Sequence, residues 1–212
     1  MIATVAGGLF LLLKFHFTNS AAETSNLIGV DLSGADLIGV DLSGVDLSSA
    51  DLNGAMLKGA DLSGANLSGA NLISADLNGA NLNGAECRYA NLSDADLRYV
   101  NLSGANLTDA NLSGANLSCA LLTDANLSDA NLSNTLIFFI NLREVLNLEP
   151  FQLEASPSPF LCNVALPSYS KQPEVNPDRS CDRIPQLLSA RYDISLEEAQ
   201  EIVYEARQHH WD

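Results

Sequence analysis

A five-residue repeat runs through more than half of this chain. Its clearest mark is a column of leucines at every fifth position from Leu27 to Leu142, in which only Cys87 and Ile137 are not leucine. The residue two places before each column position is small or apolar, most often Ala or Val. Because no insertion breaks the register across these 24 positions, the repeat constrains the fold more than any other feature.

A period of five fits neither an α-helix nor a straight β-strand. Five helical residues advance about 140° beyond a full turn, so the apolar positions would spiral around a helix without forming a buried face. A straight strand alternates faces with period two, so an odd repeat would turn every second leucine outward. The pattern requires one bend per repeat, with Leu and Ala or Val pointing inward and Asp or Asn, Ser and Gly pointing outward. The sequence therefore predicts a β-solenoid, an all-β fold in which a coil stacks on itself.

The motif A(D/N)LXX, as in residues 65–69 (ANLSG), resembles the pentapeptide repeat family over roughly Ser25 to Leu142. The resemblance implies a right-handed quadrilateral β-helix with four repeats per coil. On that implication the 24 repeats form about six coils, stacked at about 4.8 Å each into a rod of about 29 Å. It also implies kinship with exported or lumenal members from cyanobacteria and chloroplasts, and hence an accessory role near photosynthetic membranes.

The chain is strongly acidic because it contains few cations. It has 10 Lys and Arg residues against 26 Asp and Glu residues, a formal net charge of −16. Within residues 25–142 the cations are Lys58, Arg88 and Arg98. This charge disfavours direct binding to nucleic acids, whose phosphates require a basic surface. It suits a protein partner with a basic surface, or mimicry of DNA.

The early repeats carry an excess of aspartate, and from Asn66 onward Asn dominates the same position. Stacked carboxylates repel by on the order of 1 kcal/mol in water, whereas stacked Asn side chains can hydrogen-bond to each other. Two interpretations stay open, a cationic partner at this end or a merely solvated end. The predicted acidic partner face comprises Asp31, Asp36, Asp41, Asp46, Asp51 and Asp61.

Residues 1–22 predict a signal peptide or an N-terminal membrane anchor. Residues 2–13 are an apolar run, and Ser20-Ala21-Ala22 fits a small-x-small cleavage pattern. The run is short for a membrane span, which needs about 20 residues, and no basic residue precedes it. The alternatives are an uncleaved anchor, with membrane contact only through residues 1–17, and an apolar cap on the first coil. We expect export to a thylakoid lumen or a periplasm.

The four cysteines differ in context. Cys87 stands in the leucine column and is expected to be a buried thiol, whereas Cys119 stands at an outward position. Cys162 and Cys181 are predicted to form a disulfide, which an exported protein can retain; two free thiols in the cytoplasm are the alternative. No CxxC pair is present, and adjacent histidines at 209–210 are a poor ligand set, so we expect neither a metal nor another cofactor.

The chain changes character after the repeats, because every proline lies at or beyond Pro150. Residues 148–180 predict an extended, non-helical connector, and residues 181–212 predict a C-terminal helix pair. Its second helix begins with a capping box at residues 195–198, followed by one apolar face: Leu196, Ala199, Ile202, Val203 and Ala206. A pair this short cannot fold alone with much stability, so we expect a small α-helical cap docked on the solenoid.

The outward positions become apolar only in the last coils. Residues twenty apart stack under four repeats per coil, so these positions cluster on one side and predict the surface on which the tail docks. Scattered exposed apolar residues without a role are the alternative. The predicted tail-docking patch comprises Tyr99, Cys119, Leu136, Phe138 and Phe139.

The sequence predicts a non-catalytic scaffold or protein-interaction module built on residues 25–147. No catalytic residue is expected, because the repeat offers no clustered nucleophile or base and all three histidines lie outside it. The alternative function is that of a DNA mimic binding a type II topoisomerase, gyrase, as found in the pentapeptide repeat family. That function requires a cytoplasmic location and usually a free C-terminal end.

Overall fold

The computed structural model describes residues 26–154, 156–167 and 178–208. The predicted signal peptide or anchor at residues 1–22 lies outside the described residues, as do the histidines at 209–210.

Backbone ladders join residues that are twenty positions apart, from Asn26 paired with Asp46 to Asn126 paired with Leu146. All of these pairings are parallel. One coil therefore takes four pentapeptides, one for each side of a quadrilateral. Because each side pairs with the same side of the next coil, an inserted residue would misalign its coil with both neighbours. This explains why the sequence register is unbroken.

Every side of a coil makes the same set of backbone hydrogen bonds. The N–H of Leu27 donates to the carbonyl of Asp46 at 2.8 Å, and the N–H of Gly29 also donates to the following coil. In return, the N–H of Asp51 donates to the carbonyl of Val30 at 2.9 Å. Each side thus gives two donors and one acceptor to the coil that follows it.

A tight turn bends the chain at each corner. The N–H of Ala55 donates to the carbonyl of Leu52 at 3.0 Å, and Gly54 between them has a φ of +63°. Type II turns require a positive φ at this third position, which favours glycine. Later coils place Tyr99 and Phe139 there at +56° and +53°. Because such conformations cost L-residues about 1 kcal/mol, these side chains need a compensating role.

The leucine column fills the axis of the solenoid. Every position of the column from Leu32 to Leu142 is at most 2 % exposed, including Cys87 and Ile137. Burying each leucine contributes roughly 1.5–3 kcal/mol, so the column is the main source of stability. The first coil is different, because Leu27 and Val30 are only partly buried against this core.

Asn and Asp side chains at the paired positions before each turn make hydrogen bonds in two directions. The Oδ1 of Asn66 accepts the N–H of Ser68 at 3.1 Å, and its Nδ2 donates to the Oδ1 of Asp46, one coil earlier, at 3.2 Å. Two further ladders start in the same way, with Asn71 donating to Asp51 and Asn81 donating to Asp61. An aspartate side chain has no N–H to donate to the coil before it, so within such a ladder it can only be the first member. This is a physical reason for the change from Asp to Asn along the chain.

The described tail contains two short elements within the predicted connector. Strand β1 (Leu136–Asn141) pairs in parallel with strand β2 (Phe160–Ala165), and helix α1 (Pro150–Glu154) lies between them. The prediction of an extended, non-helical connector is therefore wrong for residues 150–154, whereas β2 is extended. Pro150 starts the helix, where a missing N–H costs nothing, and the prolines at 157 and 159 precede β2 rather than interrupt it.

A buried glutamine closes another part of the C-terminal end. Gln152 is 4 % exposed, and its Nε2 donates to the carbonyls of Leu127 and Ala130 at 2.8 and 3.0 Å. Its Oε1 accepts the N–H of Glu149 at 2.7 Å. The side-chain amide thus occupies the place of a backbone amide at the edge of the last coil.

Two helices follow, α2 (Ile184–Tyr192) and α3 (Leu196–Arg207). The hydroxyl of Ser195 accepts the N–H of Glu198 at 3.1 Å, so the serine caps α3 as the sequence predicts. The longest described helix, α3, has 12 residues, and none of the described helices is long and apolar enough to cross a membrane.

Truncation of one axial leucine tests the role of the column. We expect Leu82→Ala to lower the free energy of unfolding by about 3 kcal/mol, because Leu82 is fully buried and its coil neighbours cannot close the cavity. Denaturant unfolding followed by circular dichroism measures the change. Asn53→Ala, at an exposed outward position, is the control and should change stability by less than about 0.5 kcal/mol. Equal effects of the two substitutions would contradict the axial role.

Candidate functional site

The tail packs on the last coils through a second apolar cluster, separate from the solenoid axis. Leu136 and Phe138 belong to this cluster, and Phe139 packs partly against it. These three members of the predicted tail-docking patch therefore lie beneath the tail. The tail contributes the remaining residues of the cluster: Cys162, Cys181, Ile184, Leu188, Ala199 and Val203.

Tyr192, the last residue of α2, anchors the helix to the solenoid. The guanidinium carbon of Arg98 lies 3.6 Å from the centroid of its ring, and the side chain of Asn116 donates to its hydroxyl. Arg98 is held by Asp96, with 2.7 Å between Nη2 and Oδ2. Burial and the Asp96 carboxylate raise the pKa of Tyr192, so the phenol stays protonated at neutral pH.

Arg191 attaches the tail to the solenoid at a second place, through hydrogen bonds to backbone carbonyls. Its Nη1 donates to the carbonyl of Gly114 at 3.0 Å, and its Nη2 donates to the carbonyl of Asp94 at 2.9 Å. Gly114 and Asp94 stack one coil apart, and a Cβ on Gly114 would approach the Asp94 Oδ1 to 2.2 Å. The guanidinium therefore spans two coils beside a position whose φ of +69° favours glycine.

Tyr99 and Cys119, the other members of the predicted patch, are not in the apolar cluster beneath the tail. Tyr99 is 62 % exposed, and Cys119 is partly buried beside it. Proximity to Cys119 raises the pKa of Tyr99, and burial raises the pKa of Cys119. The side chain that reaches the tail is Arg98, the neighbour of Tyr99 in sequence. In the sequence, Arg98 stands out only as one of the few cations among the repeats.

The structure joins Cys162 and Cys181 in a disulfide, with 2.04 Å between the sulfurs. The bond links β2 to the segment before α2 within the second apolar cluster. Asp178 lies beside it, and its Oδ1 accepts the N–H of Asn163 at 2.8 Å. Ligand atoms of Cys162, Asp178 and Cys181 lie within 4.8 Å of one another, the one such group among the described residues. Because both sulfurs are bonded to each other, neither offers a thiolate to a metal.

The free thiol of Cys87 is inaccessible inside the axis. Burial raises the pKa of Cys87 to about 12, so the thiol remains protonated and unreactive at neutral pH. The cysteine thus serves as a small axial side chain in place of leucine, as its position in the repeat predicts.

The predicted acidic partner face is a ring. Asp31, Asp36, Asp41 and Asp46 belong to four successive pentapeptides and therefore stand on four successive sides of the solenoid. Asp51 and Asp61 pair one coil above Asp31 and Asp41. The bends that the repeat requires distribute consecutive aspartates around the rod, and contact of this acidic end with a partner stays a prediction. We call these six residues the acidic ring.

Local hydrogen bonds stabilise the charged form of several ring carboxylates. The hydroxyl of Ser33 donates to the Oδ1 of Asp31 at 2.6 Å, and its N–H donates at 3.0 Å. These bonds lower the pKa of Asp31, and Ser63 lowers the pKa of Asp61 in the same way. Asp31 and Asp61 therefore stay negatively charged at neutral pH.

Removal of one hydroxyl tests this electrostatic effect. We expect Ser33→Ala to raise the pKa of Asp31 toward its ordinary value of 3.8 while the pKa of Asp61 stays unchanged. Because the folded state lowers the pKa of Asp31, the resulting stabilisation is present at neutral pH and is lost as the pH falls through the folded value. Carboxyl ¹³C NMR titration measures both groups. An unchanged pKa of Asp31 would refute the assigned cause.

Truncation of the tyrosine anchor tests tail docking. We expect Tyr192→Ala to weaken docking by about 2 kcal/mol, because it removes the contact with Arg98 and leaves the buried Asn116 amide without its acceptor. Limited proteolysis of residues 178–208 should accelerate roughly tenfold or more. Tyr204→Ala is the matched control, since Tyr204 is 66 % exposed. Equal cleavage of both variants would show that Tyr192 does not hold the tail.

The repeat sequence matches a known protein family. The pentapeptide repeats profile, with eight copies, matches residues 25–64, 60–98 and 101–136. A search of curated proteins found no match.

Three solved structures are similar to the chain. HetL, a pentapeptide repeat protein involved in heterocyst differentiation regulation from the cyanobacterium Nostoc sp. strain PCC 7120, is 31% identical over 69% of this chain and 76% of its own, with a TM-score of 0.45. Rfr23 from the cyanobacterium Cyanothece 51142 is 40% identical over 43% of this chain, with a TM-score of 0.42, and the chain spans 63% of its length. A pentapeptide repeat protein from the Arabidopsis thaliana thylakoid lumen is 32% identical over 57% of this chain and 74% of its own, with a TM-score of 0.22. Since the family profile covers more than half of the sequence, the chain belongs to the pentapeptide repeat family, whose members form right-handed quadrilateral β-helices.

Proposed function

We propose that this protein is a non-catalytic scaffold that binds a protein partner in an exported compartment, either a thylakoid lumen or a periplasm. The observation that carries the proposal is the surface of the rod, where short polar side chains stand in regular rows and already bond to one another. No buried side-chain nitrogen or oxygen in the described segments lacks a hydrogen-bond partner. Such a surface suits contact with another macromolecule better than chemistry on a small substrate.

A non-catalytic role agrees with the distribution of titratable groups. The described segments contain no histidine, and the ring carboxylates face solvent or are partly exposed at the corners. A hollow of about 510 Å³ lies between α2 and α3, and its charged residues, Asp182 and Arg207, are both exposed. An exposed acid and base without a water-poor pocket do not form the usual setting for general acid–base catalysis.

Export is supported by the disulfide and by the sequence at the N-terminus. A disulfide within a buried cluster persists best in an oxidising compartment. Residues 1–22 have the apolar run and cleavage pattern of an export signal, or serve as a membrane tether if uncleaved. An accessory role beside photosynthetic membrane complexes follows the family resemblance.

We further propose a division of the chain into four parts. Residues 1–22 are the signal or anchor, and residues 25–147 form the β-helix of about six coils. Residues 148–180 connect it to the helix pair at residues 181–212, which caps the rod. The contacts of Gln152 and Tyr192 with the last coils support a capping role.

The negative charge of the rod suggests an alternative function, that of a DNA mimic that binds gyrase. It is disfavoured because β2 and Gln152 cover the C-terminal end, which this function would leave free. Inhibition of gyrase supercoiling by the purified protein at low concentration would favour it over the scaffold.

Fractionation of the native host tests the proposed function. We expect the protein in the exported fraction, with a mature N-terminus at Glu23 and the Cys162–Cys181 disulfide intact by non-reducing mass spectrometry. Cross-linking in the same fraction should yield a complex with another protein. Cytoplasmic protein with free thiols at both positions would contradict the proposal.

A further inference from the structure

We propose that Glu86, Arg88 and Tyr89 form a docking site for the C-terminal end of a partner protein's α-helix that carries an aromatic side chain. We call these three residues the Arg88 site. They lie on one side of the coil of residues 86–105. The Arg88 site deepens the proposed scaffold function and rests on it, since it states where the partner binds and what chemistry the partner presents.

One sequence pattern, an acid followed two places later by Arg-Tyr, occurs twice in this coil, at residues 86–89 (ECRY) and residues 96–99 (DLRY). The two copies are ten residues apart, which is two of the four sides of a coil, so they lie on opposite sides of the rod. The second copy already docks a helix, because Arg98 lies against the ring of Tyr192 and is held by Asp96. The protein's own tail therefore shows what this pattern can bind.

The Arg88 site leaves the same groups open to solvent. Glu86 and Arg88 are exposed, and Tyr89 is 62 % exposed. The guanidinium carbon of Arg88 lies 5.7 Å from the centroid of the Tyr89 ring. Glu86 bonds to the next coil instead, where its Oε2 accepts the side-chain N–H of Asn106 at 2.9 Å. Among the described residues the Arg88 side chain makes neither an ion pair nor a hydrogen bond, so its N–H donors are available to a partner.

Tyr89 holds a backbone conformation that bulky residues rarely adopt. Its φ is +58°, at the turn position that Gly69 occupies one coil earlier. Among the described residues with a positive φ, the aromatic ones are Tyr89, Tyr99 and Phe139. Tyr99 and Phe139 lie on the side of the rod where the tail docks, and Tyr89 lies on the opposite side. Since backbone strain of this kind is concentrated at binding sites, Tyr89 marks such a site on the side opposite the tail.

The docked tail indicates the chemistry of the partner. Helix α2 presents to Arg98 the aromatic ring of Tyr192, the last residue of the helix. The last carbonyls of a helix have no partner within the helix and carry partial negative charge, which suits a guanidinium with available donors. Because Arg and Tyr side chains supply much of the binding energy at protein interfaces, a small exposed pair can anchor a helix end.

One difference between the two sites affects their specificity. At the Arg98 side, the amide of Asn116 donates to the hydroxyl of Tyr192. At the Arg88 site, the equivalent amide, that of Asn106, donates to Glu86. The Arg88 site therefore selects an aromatic ring and does not require a hydroxyl on it.

A second copy of this chain is a poor source of the helix end. Its α2 is bound to its own rod through Tyr192 and Arg191. Its α3 ends at Arg207, a cation that would be repelled by Arg88. Each copy also has a formal net charge of −16, which opposes self-association. The helix end therefore belongs to a different protein.

A helical peptide tests the Arg88 site on the full-length, disulfide-intact protein. The probe has the sequence of residues 184–193 and is held helical by a side-chain lactam, since a free peptide of this length is barely helical. In a ¹⁵N NMR titration it should shift the amide signals of Arg88, Tyr89 and Thr108, because the protein's own α2 already occupies Arg98. A twin peptide with alanine in place of its tyrosine should bind about tenfold more weakly.

Tyr89→Gly separates a binding role from a structural one. Because glycine favours a positive φ, we expect this variant to raise the midpoint of denaturant unfolding and yet to bind the peptide about tenfold more weakly. Ser49→Gly, in the same column with a φ of 57°, is the matched control and should raise the midpoint without changing binding.

A pair of charge variants tests the role of the guanidinium. Arg88→Gln and Lys58→Gln each remove one exposed cation from the repeats. We expect Arg88→Gln to weaken peptide binding about tenfold and Lys58→Gln to leave it nearly unchanged, because Lys58 lies on another side of the rod.

Four results would overturn the Arg88 site: no binding of the parent peptide, equal binding of its twin, equal binding to Tyr89→Gly and Ser49→Gly, or shifts confined to Arg98 and Asn116. The last would show that the peptide only displaces the protein's own tail. In the native host, a cross-linked complex that persists with Arg88→Gln would exclude the site and leave the scaffold function standing. Absence of any complex with the unaltered protein would instead contradict the scaffold function.

Discussion

The parallel hydrogen bonds between residues twenty positions apart are the constraint on which the rest of this structure depends. They require each side of a coil to lie over the same side of the next, which turns a five-residue period into a quadrilateral rod. The leucine column then lies on the axis, and each corner Asn lies over the corner of the coil before it. Since every coil contacts only its neighbours, stability accumulates coil by coil. The features that distinguish this protein from a uniform repeat must therefore lie where the repetition ends or where its outward side chains vary.

The C-terminal end of the rod closes the edge that a solenoid would otherwise leave open. β2 and the Gln152 amide satisfy the last coil, and the tail is tied down by Tyr192, Arg191 and the disulfide. An exposed strand edge invites pairing with another chain, which this cover prevents at the last coil.

The sequence predicted the features that follow from the five-residue period. It predicted few of the features that depend on contacts between residues far apart in the chain. The bend in each repeat, the inward leucines and the buried Cys87 follow from the period alone. Pairing of β2 with β1 does not, because the preference of residues 160–165 for a strand appears only beside an open edge. The Arg98–Tyr192 contact joins residues far apart in sequence, and neither residue departs from an ordinary surface pattern. The distribution of the early aspartates around the rod also follows from the period, since consecutive pentapeptides lie on different sides of a coil.

The turn positions differ between the early and the late coils of the rod. In the early coils these positions are mostly glycines such as Gly34 and Gly54, and a Cβ there would meet nothing within 4 Å. The sides of the early rod are therefore nearly flat and carry little shape for a partner to read. Non-glycine residues with a positive φ become frequent in the later coils, and one of them, Phe139, packs against the docked tail. Because backbone strain of this kind persists only where contacts compensate it, shape-specific contacts on this end are already used by the protein's own tail.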